Sequence, residues 1–276
     1  MRAKTARKEV LIMRKVNDIQ MYYEVHGEGF PLIMIAGLGA NVDWWDPRWI
    51  EGFSKQFKTV AFDNRGAGRT DISDRQYSIK LFADDTAALM DALEIPRAHA
   101  LGISMGGMIA QELVLNHPEK VEKLVLCSTS CGGARSVLPS WDVLEMLATD
   151  RSALSPEEIA RIMIPFLVTE DFIKNNPELV ELAIQQMLKA PISNGAYMRQ
   201  LNAIMNFDTH DSLSQIKTPT LILQGKRDIL IPPENASILH KGIPNAKLVY
   251  LESSAHGLLE ETETVLRSVS EFLSEP

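Results

Sequence analysis

The chain has 276 residues, 45% of them hydrophobic and 7% aromatic, and 28 Lys+Arg against 36 Asp+Glu leave a net charge of −8. That acidic balance argues against nucleic acid or an anionic membrane surface as the main partner, and no apolar run approaches the ~20 residues needed to span a bilayer. The length suits one large α/β domain with an insertion, or two small domains.

Arg2, Lys4, Arg7 and Lys8 open the chain, and the apolar run behind them, 10–13, is too short for a signal segment. The leader reads as solvated and the protein as cytoplasmic. Residues 11–13 and 19–25 predict two antiparallel strands joined by a turn at 15–18. His26-Gly27 precedes the next buried strand instead of following it, so it is set aside as an oxyanion loop. The continuous apolar run 32–36 predicts a strand covered on both faces, ending in Gly37-Leu38-Gly39-Ala40-Asn41. Trp44, Trp45 and Trp49 follow, ahead of a helix ending near Phe57; they either line a pocket or anchor the loop. Residues 59–62 predict another strand, leading into Asp63-Asn64-Arg65-Gly66-Ala67-Gly68-Arg69-Thr70. This turn lacks the Lys-Ser/Thr of a phosphate loop and the third glycine of a dinucleotide fingerprint. Asp63 and Arg65 are expected to form a local ion pair. Ile79, Phe82, Thr86, Leu89 and Leu93 mark one face of a helix.

The apolar run 98–103 then predicts a buried strand, and 105–117 a helix, with Gly102-Ile103-Ser104-Met105-Gly106 between them. A Gly-x-Ser-x-Gly in that setting is a nucleophile elbow; without the flanking elements it would be a glycine-rich turn with a bystander serine. A strand at 124–127 follows. Cys127 and Cys131 have no second Cys/His cluster near them in sequence and read as buried free thiols. From 132 to 213 the strand pattern stops. Helical segments rich in Leu, Ile and Met are broken at Pro139, Pro156, Pro165, Pro177 and Pro191. Strands resume at 220–224, ahead of Gly225-Lys226-Arg227-Asp228, and at 247–251, ahead of Ser253-Ser254-Ala255-His256-Gly257. Between them Pro232-Pro233 starts a helix through His240, and a last amphipathic helix carries Val265, Leu266, Val269, Phe272 and Leu273.

A hydroxyl is a weak nucleophile at neutral pH. It needs a base, and the base needs a partner that holds its tautomer. Parallel sheets gather such groups in loops at the carboxyl ends of strands. Ser104, Asp228 and His256 occupy three such loops in the order Ser, Asp, His. Of the six histidines His256 follows a late strand and precedes a glycine; His26 also precedes a glycine but lies ahead of the first buried strand and is set aside above, and His99, His117, His210 and His240 precede none. The loop after the strand ending at Cys127 offers no rival acid.

With Ala36-Gly37-Leu38-Gly39, Asp63-Asn64-Arg65-Gly66-Ala67-Gly68, the Ser104 elbow, the stretch from Gly225 to Pro232 and Ala255-His256-Gly257, the sequence resembles an α/β-hydrolase of the esterase, lactonase and C–C-hydrolase type. The resemblance implies an α/β fold: a mostly parallel eight-stranded sheet flanked by helices, with an inserted all-helical cap. It implies an oxyanion hole made by the backbone N–H groups of Leu38 and Met105. Members often carry His-Gly where this chain has Ala36-Gly37, a change that removes an imidazole but no backbone donor. Relatives that are haloalkane dehalogenases or epoxide hydrolases use aspartate at the elbow, so those chemistries are not expected here.

The expected division is a hydrolase core at 1–131 and 214–276 with a helical cap at 132–213. The expected reaction is hydrolysis of small neutral esters or lactones through an acyl-enzyme on Ser104, with no cofactor and no metal. A C–C hydrolase or cofactor-free perhydrolase with the same triad, and a non-enzymatic ligand-binding protein, are the alternatives. Apolar cap segments at 162–168 and 179–188, with Met187, Met198 and Met205, are expected to cover an apolar pocket above Ser104.

Overall fold

A computed structural model of the chain describes residues 12–275. The basic residues of the leader, and Leu11, lie outside that range. Strand β1 (Met13–Val16) pairs antiparallel with β2 (Ile19–His26). The strand thus takes in Lys15 and Val16, which were expected in the turn. The turn is only Asn17-Asp18, because Asn17 tolerates the positive φ, 50°, of a two-residue hairpin.

The remaining strands are β3 (Phe30–Ile35), β4 (Phe57–Phe62), β5 (Ala98–Ile103), β6 (Val121–Cys127), β7 (Thr220–Gly225) and β8 (Lys247–Leu251). They complete an eight-stranded sheet ordered β1-β2-β4-β3-β5-β6-β7-β8, parallel from β3 onward, with β2 antiparallel to β4. The core helices are α1 (Pro47–Ser54), α2 (Ile79–Ala92) and α3 (Met105–Asn116). Between β6 and β7 run α4 (Trp141–Ala148), α5 (Pro156–Leu167), α6 (Glu170–Asn175), α7 (Pro177–Met187) and α8 (Asn194–Met205). Then come α9 (Glu234–Gly242) and α10 (Thr262–Ser274). None of the described helices is long and apolar enough to cross a membrane.

Alternation along the strands sorts the core into two layers. Ile33, Ile35, Val60, Ala100, Leu126 and Ile222 pack under α2, α3 and α9. Leu32, Met34, Ala61, Leu101, Val125 and Leu223 pack under α1 and α10. Burial on both faces is why these strands read as unbroken apolar runs. A third cluster, with Met163, Ile164, Ile184 and Met187, joins α5 to α7 and holds Trp44 from the core.

Several local expectations are corrected. Phe57 does not end a helix; it is the first residue of β4 and is buried. Pro156 and Pro177 occupy the first turns of α5 and α7, where no N–H is needed, and Ser155 with Glu158 forms a capping box on α5. Pro156 and Pro177 thus fall where one helix gives way to the next, as expected, whereas Pro165 is contained within α5 and breaks nothing. Cys127 and Cys131 are buried free thiols, as expected, and burial pushes the Cys127 thiol up to about 12.

The Asp63–Arg65 pair is not formed. Arg65 is fully buried and reaches Asp85 at 2.7 Å and Asp18 at 2.8 Å. Asp63 instead accepts the N–H groups of Val42 and Arg69, each at 2.8 Å. Burial raises its carboxyl to about 6 against the pull of those donors. The sequence neighbours diverge because the turn points Asp63 toward β3's loop and Arg65 toward α2. Asp85→Ala is therefore expected to destabilise the fold by about 3–5 kcal/mol, since it strands a buried guanidinium; urea unfolding measures it. The Arg65 hydrogen bond holds Asp18 down to about 2. Its support is therefore in place above the ordinary carboxylate range and is lost as pH falls toward about 2.

Candidate active site

The sheet order reverses at β3, whose neighbours are β4 on one side and β5 on the other. Loops leaving β3 and β5 therefore part, opening a crevice at the carboxyl edge. Ser104 follows β5 and Leu38 follows β3, so both stand at that crevice.

Ser104 has φ 58° and ψ −121°, a conformation that costs of order 1–3 kcal/mol for a residue with a Cβ. The surroundings hold it there. Its N–H donates to Cys127 O at 2.9 Å, and its carbonyl accepts from Gly107 N–H at 2.9 Å and the Thr129 hydroxyl at 2.7 Å. Gly106 permits the close approach to β3, since a Cβ there would sit 2.0 Å from the Ile35 carbonyl oxygen. Among the described residues, the Ser104 hydroxyl makes no hydrogen bond, and the N–H groups of Leu38 and Met105 donate to no protein acceptor.

His256 and Asp228 come from the loops after β8 and β7. These loops lie against each other because Gly225 has no Cβ; one would stand 2.3 Å from Ser254 O. His256 Nδ1 and Asp228 Oδ2 are 2.8 Å apart and both side chains are buried. Asp228 Oδ1 accepts the N–H groups of Leu230 and Ile231, each at 2.9 Å. Its Oδ2 also accepts from Gln224 Nε2 at 3.1 Å. The carboxylate is fully supplied with donors, and the imidazole is fixed through Nδ1.

Ser104, Leu38 and His256 line one cavity of about 1110 Å³; Asp228 stands behind His256 and Met105 behind Ser104. The walls are mainly apolar, with Trp44, Trp45, Met163, Met187, Leu201 and Ile204 among them. Met198 and Met205 line it as well. The tryptophans do both things expected of them: all three border the cavity, while Trp49 is buried against Trp45 and Phe53 at 5.9 and 6.1 Å between ring centroids. Asp46 and Glu145 are the carboxylates on the lining.

The other histidines sit elsewhere. His26 pairs with Glu24 at 3.0 Å at the end of β2. His99 lies between Phe30 and Phe57, where burial lowers it to about 4. His117 bonds Asp84, His210 touches Arg135, and His240 ends α9. Among the described residues no His, Cys, Asp and Glu side chains converge as a metal-binding group.

Three supporting residues escaped the sequence reading: Gln224 beside Asp228, Gln200 on α8, and Glu260. Glu260 accepts from Thr169 N at 2.7 Å and Ala255 N at 3.3 Å, joining the α5–α6 link to the His256 loop. Only Gln224 carried a signal, a lone amide closing the apolar run Thr220-Leu221-Ile222-Leu223.

A doubly wound sheet with a serine elbow, a buried His–Asp pair and a covered apolar cavity defines a hydrolase-type α/β protein. The alpha/beta hydrolase fold family model matches residues 31–262, and the chain belongs to that family. It is 30% identical over 254 residues to a proposed carbamate hydrolase, RutD, of Azorhizobium caulinodans, covering 91% of this chain and 94% of that one. It is 33% identical over 247 residues to a poly(3-hydroxyalkanoate) depolymerase of Ectopseudomonas oleovorans, covering 89% and 84%. Among solved structures, the enol-lactonase of Burkholderia xenovorans LB400 superposes with a TM-score of 0.85 at 25% identity, covering 96% of this chain and all, 100%, of that one.

Proposed function

We propose that this protein is a serine hydrolase of neutral, apolar carboxylic esters, including lactones and short oligoesters. The observation that carries the reading is the meeting of Ser104 and His256 on one apolar cavity, with Asp228 2.8 Å behind the imidazole. In this reading His256 Nε2 takes the proton of Ser104 Oγ as the oxygen attacks the substrate carbonyl. The N–H groups of Leu38 and Met105 receive the developing oxyanion. The imidazolium returns its proton to the leaving alcohol, and a water activated by the same nitrogen then releases the acid. Asp228 keeps Nδ1 protonated and stabilises the imidazolium. The segment between β6 and β7, its five helices with their loops, serves as a cap that supplies most of the cavity wall.

Carbamate, polyester and enol-lactone hydrolysis, the reactions named for the relatives, all transfer an acyl group to water. The cavity supports a choice among substrates. A volume of about 1110 Å³ is at the upper end for small-molecule pockets and supports acyl chains of short to medium length. Among the described residues its lining carries Asp46 and Glu145 and no lysine or arginine, which supports a bias against acidic esters.

In a series of alkanoate aryl esters, kcat/KM is expected to rise by about fourfold per methylene, the equivalent of ~0.8 kcal/mol, until the cavity fills. Lactones of matching size should be turned over, and dicarboxylate monoesters should be poor. A preference for a dianionic substrate, or for a small polar carbamate over every ester, would overturn the substrate class.

A further inference from the structure

The geometry points to Gln200 as a positioning residue for the oxyanion loop, acting from the inserted helices on the Leu38 N–H; the inference rests on the proposed role of Ser104. Gln200 sits on α8, is fully buried and does not line the cavity. Its Oε1 accepts the Gly39 N–H at 2.8 Å, and its Nε2 donates to the Arg65 carbonyl at 3.0 Å. Both ends of one amide are thus used, which also fixes which way round it lies.

The Leu38 N–H lies in the Gly37–Leu38 peptide plane, and the neighbouring Leu38–Gly39 plane limits how far that plane can turn. The Gly37–Leu38 plane is tied by its carbonyl, which accepts from Ala40 N–H at 3.3 Å. Among the described residues the Leu38–Gly39 plane is tied only by Gln200. The rest of the loop is anchored to the turn after β4: Asn64 Nδ2 reaches Ala36 O at 3.0 Å, and Asp63 accepts from Val42 N. Those two anchors bracket the loop, and Gln200 holds its middle. Gly39 has φ +72°, and a Cβ there would meet the Tyr197 ring at 3.3 Å. The loop apex is therefore pressed against α8. By gripping Gly39, Gln200 occupies that amide and leaves Leu38 as the free donor. A helix far away in sequence, 161 residues on, thereby sets the angle at which the oxyanion is received.

The test compares Gln200→Met, which keeps the bulk and removes both polar atoms, with Gln200→Glu. For Gln200→Met, kcat on an aryl ester is expected to fall about 10- to 100-fold with KM within about twofold. The inhibition constant of an alkylboronic acid, whose serine adduct puts a charged oxygen in the hole, should rise by a similar factor. A purely structural role would lower the melting temperature without this split. Gln200→Glu tests the same contact through protonation. A neutral carboxyl can accept from Gly39 and donate to the Arg65 carbonyl, whereas its anion faces that carbonyl with a buried charge. The variant-to-wild-type ratio of kcat should thus be highest at acid pH and fall as pH rises from about 5.5 to about 9. If Gln200→Met fails to fold, this ratio decides alone. A Met variant with kcat within about twofold of wild type, or a pH-independent ratio for Gln200→Glu, would overturn the inference. Ser104→Ala assayed alongside separates the two proposals. Its retention of activity would defeat the function itself, while an inactive Ser104→Ala beside a fully active Gln200→Met would defeat only the role of Gln200.

Discussion

Ser104→Ala is expected to lower kcat by roughly four to six orders of magnitude, leaving the rate that binding and the oxyanion donors supply. Alanine keeps the Cβ, so it keeps the strain of φ 58° and should leave the melting temperature close to wild type. Ser104→Gly separates strain from chemistry. It should be as inactive as alanine yet more stable by about 1 kcal/mol or more, because glycine enters that region freely. Activity and stability would then move in opposite directions at one position, as they do where a fold stores strain to present a nucleophile. Retention of more than a tenth of the wild-type rate by Ser104→Ala would place the nucleophile elsewhere.

Asp228→Asn is expected to reduce kcat by about 10⁴-fold through the tautomer of His256, with little change in fold. The hydrogen-bond geometry leaves the asparagine no good choice. Its carbonyl oxygen is claimed at the Oδ1 position by the N–H groups of Leu230 and Ile231. The amide nitrogen is then placed at the Oδ2 position, facing His256 Nδ1 and the Gln224 amide donor. Imidazole can meet that nitrogen only with a bare Nδ1, which puts its proton on Nε2, toward Ser104. Flipping the amide would set an NH2 against two backbone donors. Gln224→Leu should relieve part of the donor conflict in Asp228→Asn without restoring activity. A near-wild-type Asp228→Asn, with some other carboxylate variant inactive, would show that the acid lies elsewhere.

Much of this was decided locally, and local chemistry is what a sequence displays. The unbroken apolar runs of β3 to β7 marked strands covered on both sides, and the amphipathic stripes of α2 and α10 marked the covering helices. Gly-x-Ser-x-Gly, Asp228 and His256 could be picked out as candidates because a strand-to-helix elbow and loops at strand ends require particular residues at particular spacings, and the structure brings His256 and Asp228 to 2.8 Å. The prolines of the inserted segment marked most of its helix boundaries, and Pro165 misled, since it is carried inside α5.

Tertiary structure decided which distant groups meet. Asp63 and Arg65 are two residues apart, yet they belong to different networks, one serving Val42 and Arg69, the other Asp85 and Asp18. Nothing in the residues of α8 announced that Gln200 would grip Gly39, because a glutamine in a helix usually faces water and its partners here lie in other elements. The cavity, too, belongs to the assembled chain: its walls come from the β3 loop, the inserted helices and the β8 loop together. A short-range pattern records what each residue's neighbours in the chain demand of it; contacts across the fold depend on how whole elements pack, and that is fixed only when the two layers and the insertion close around one site.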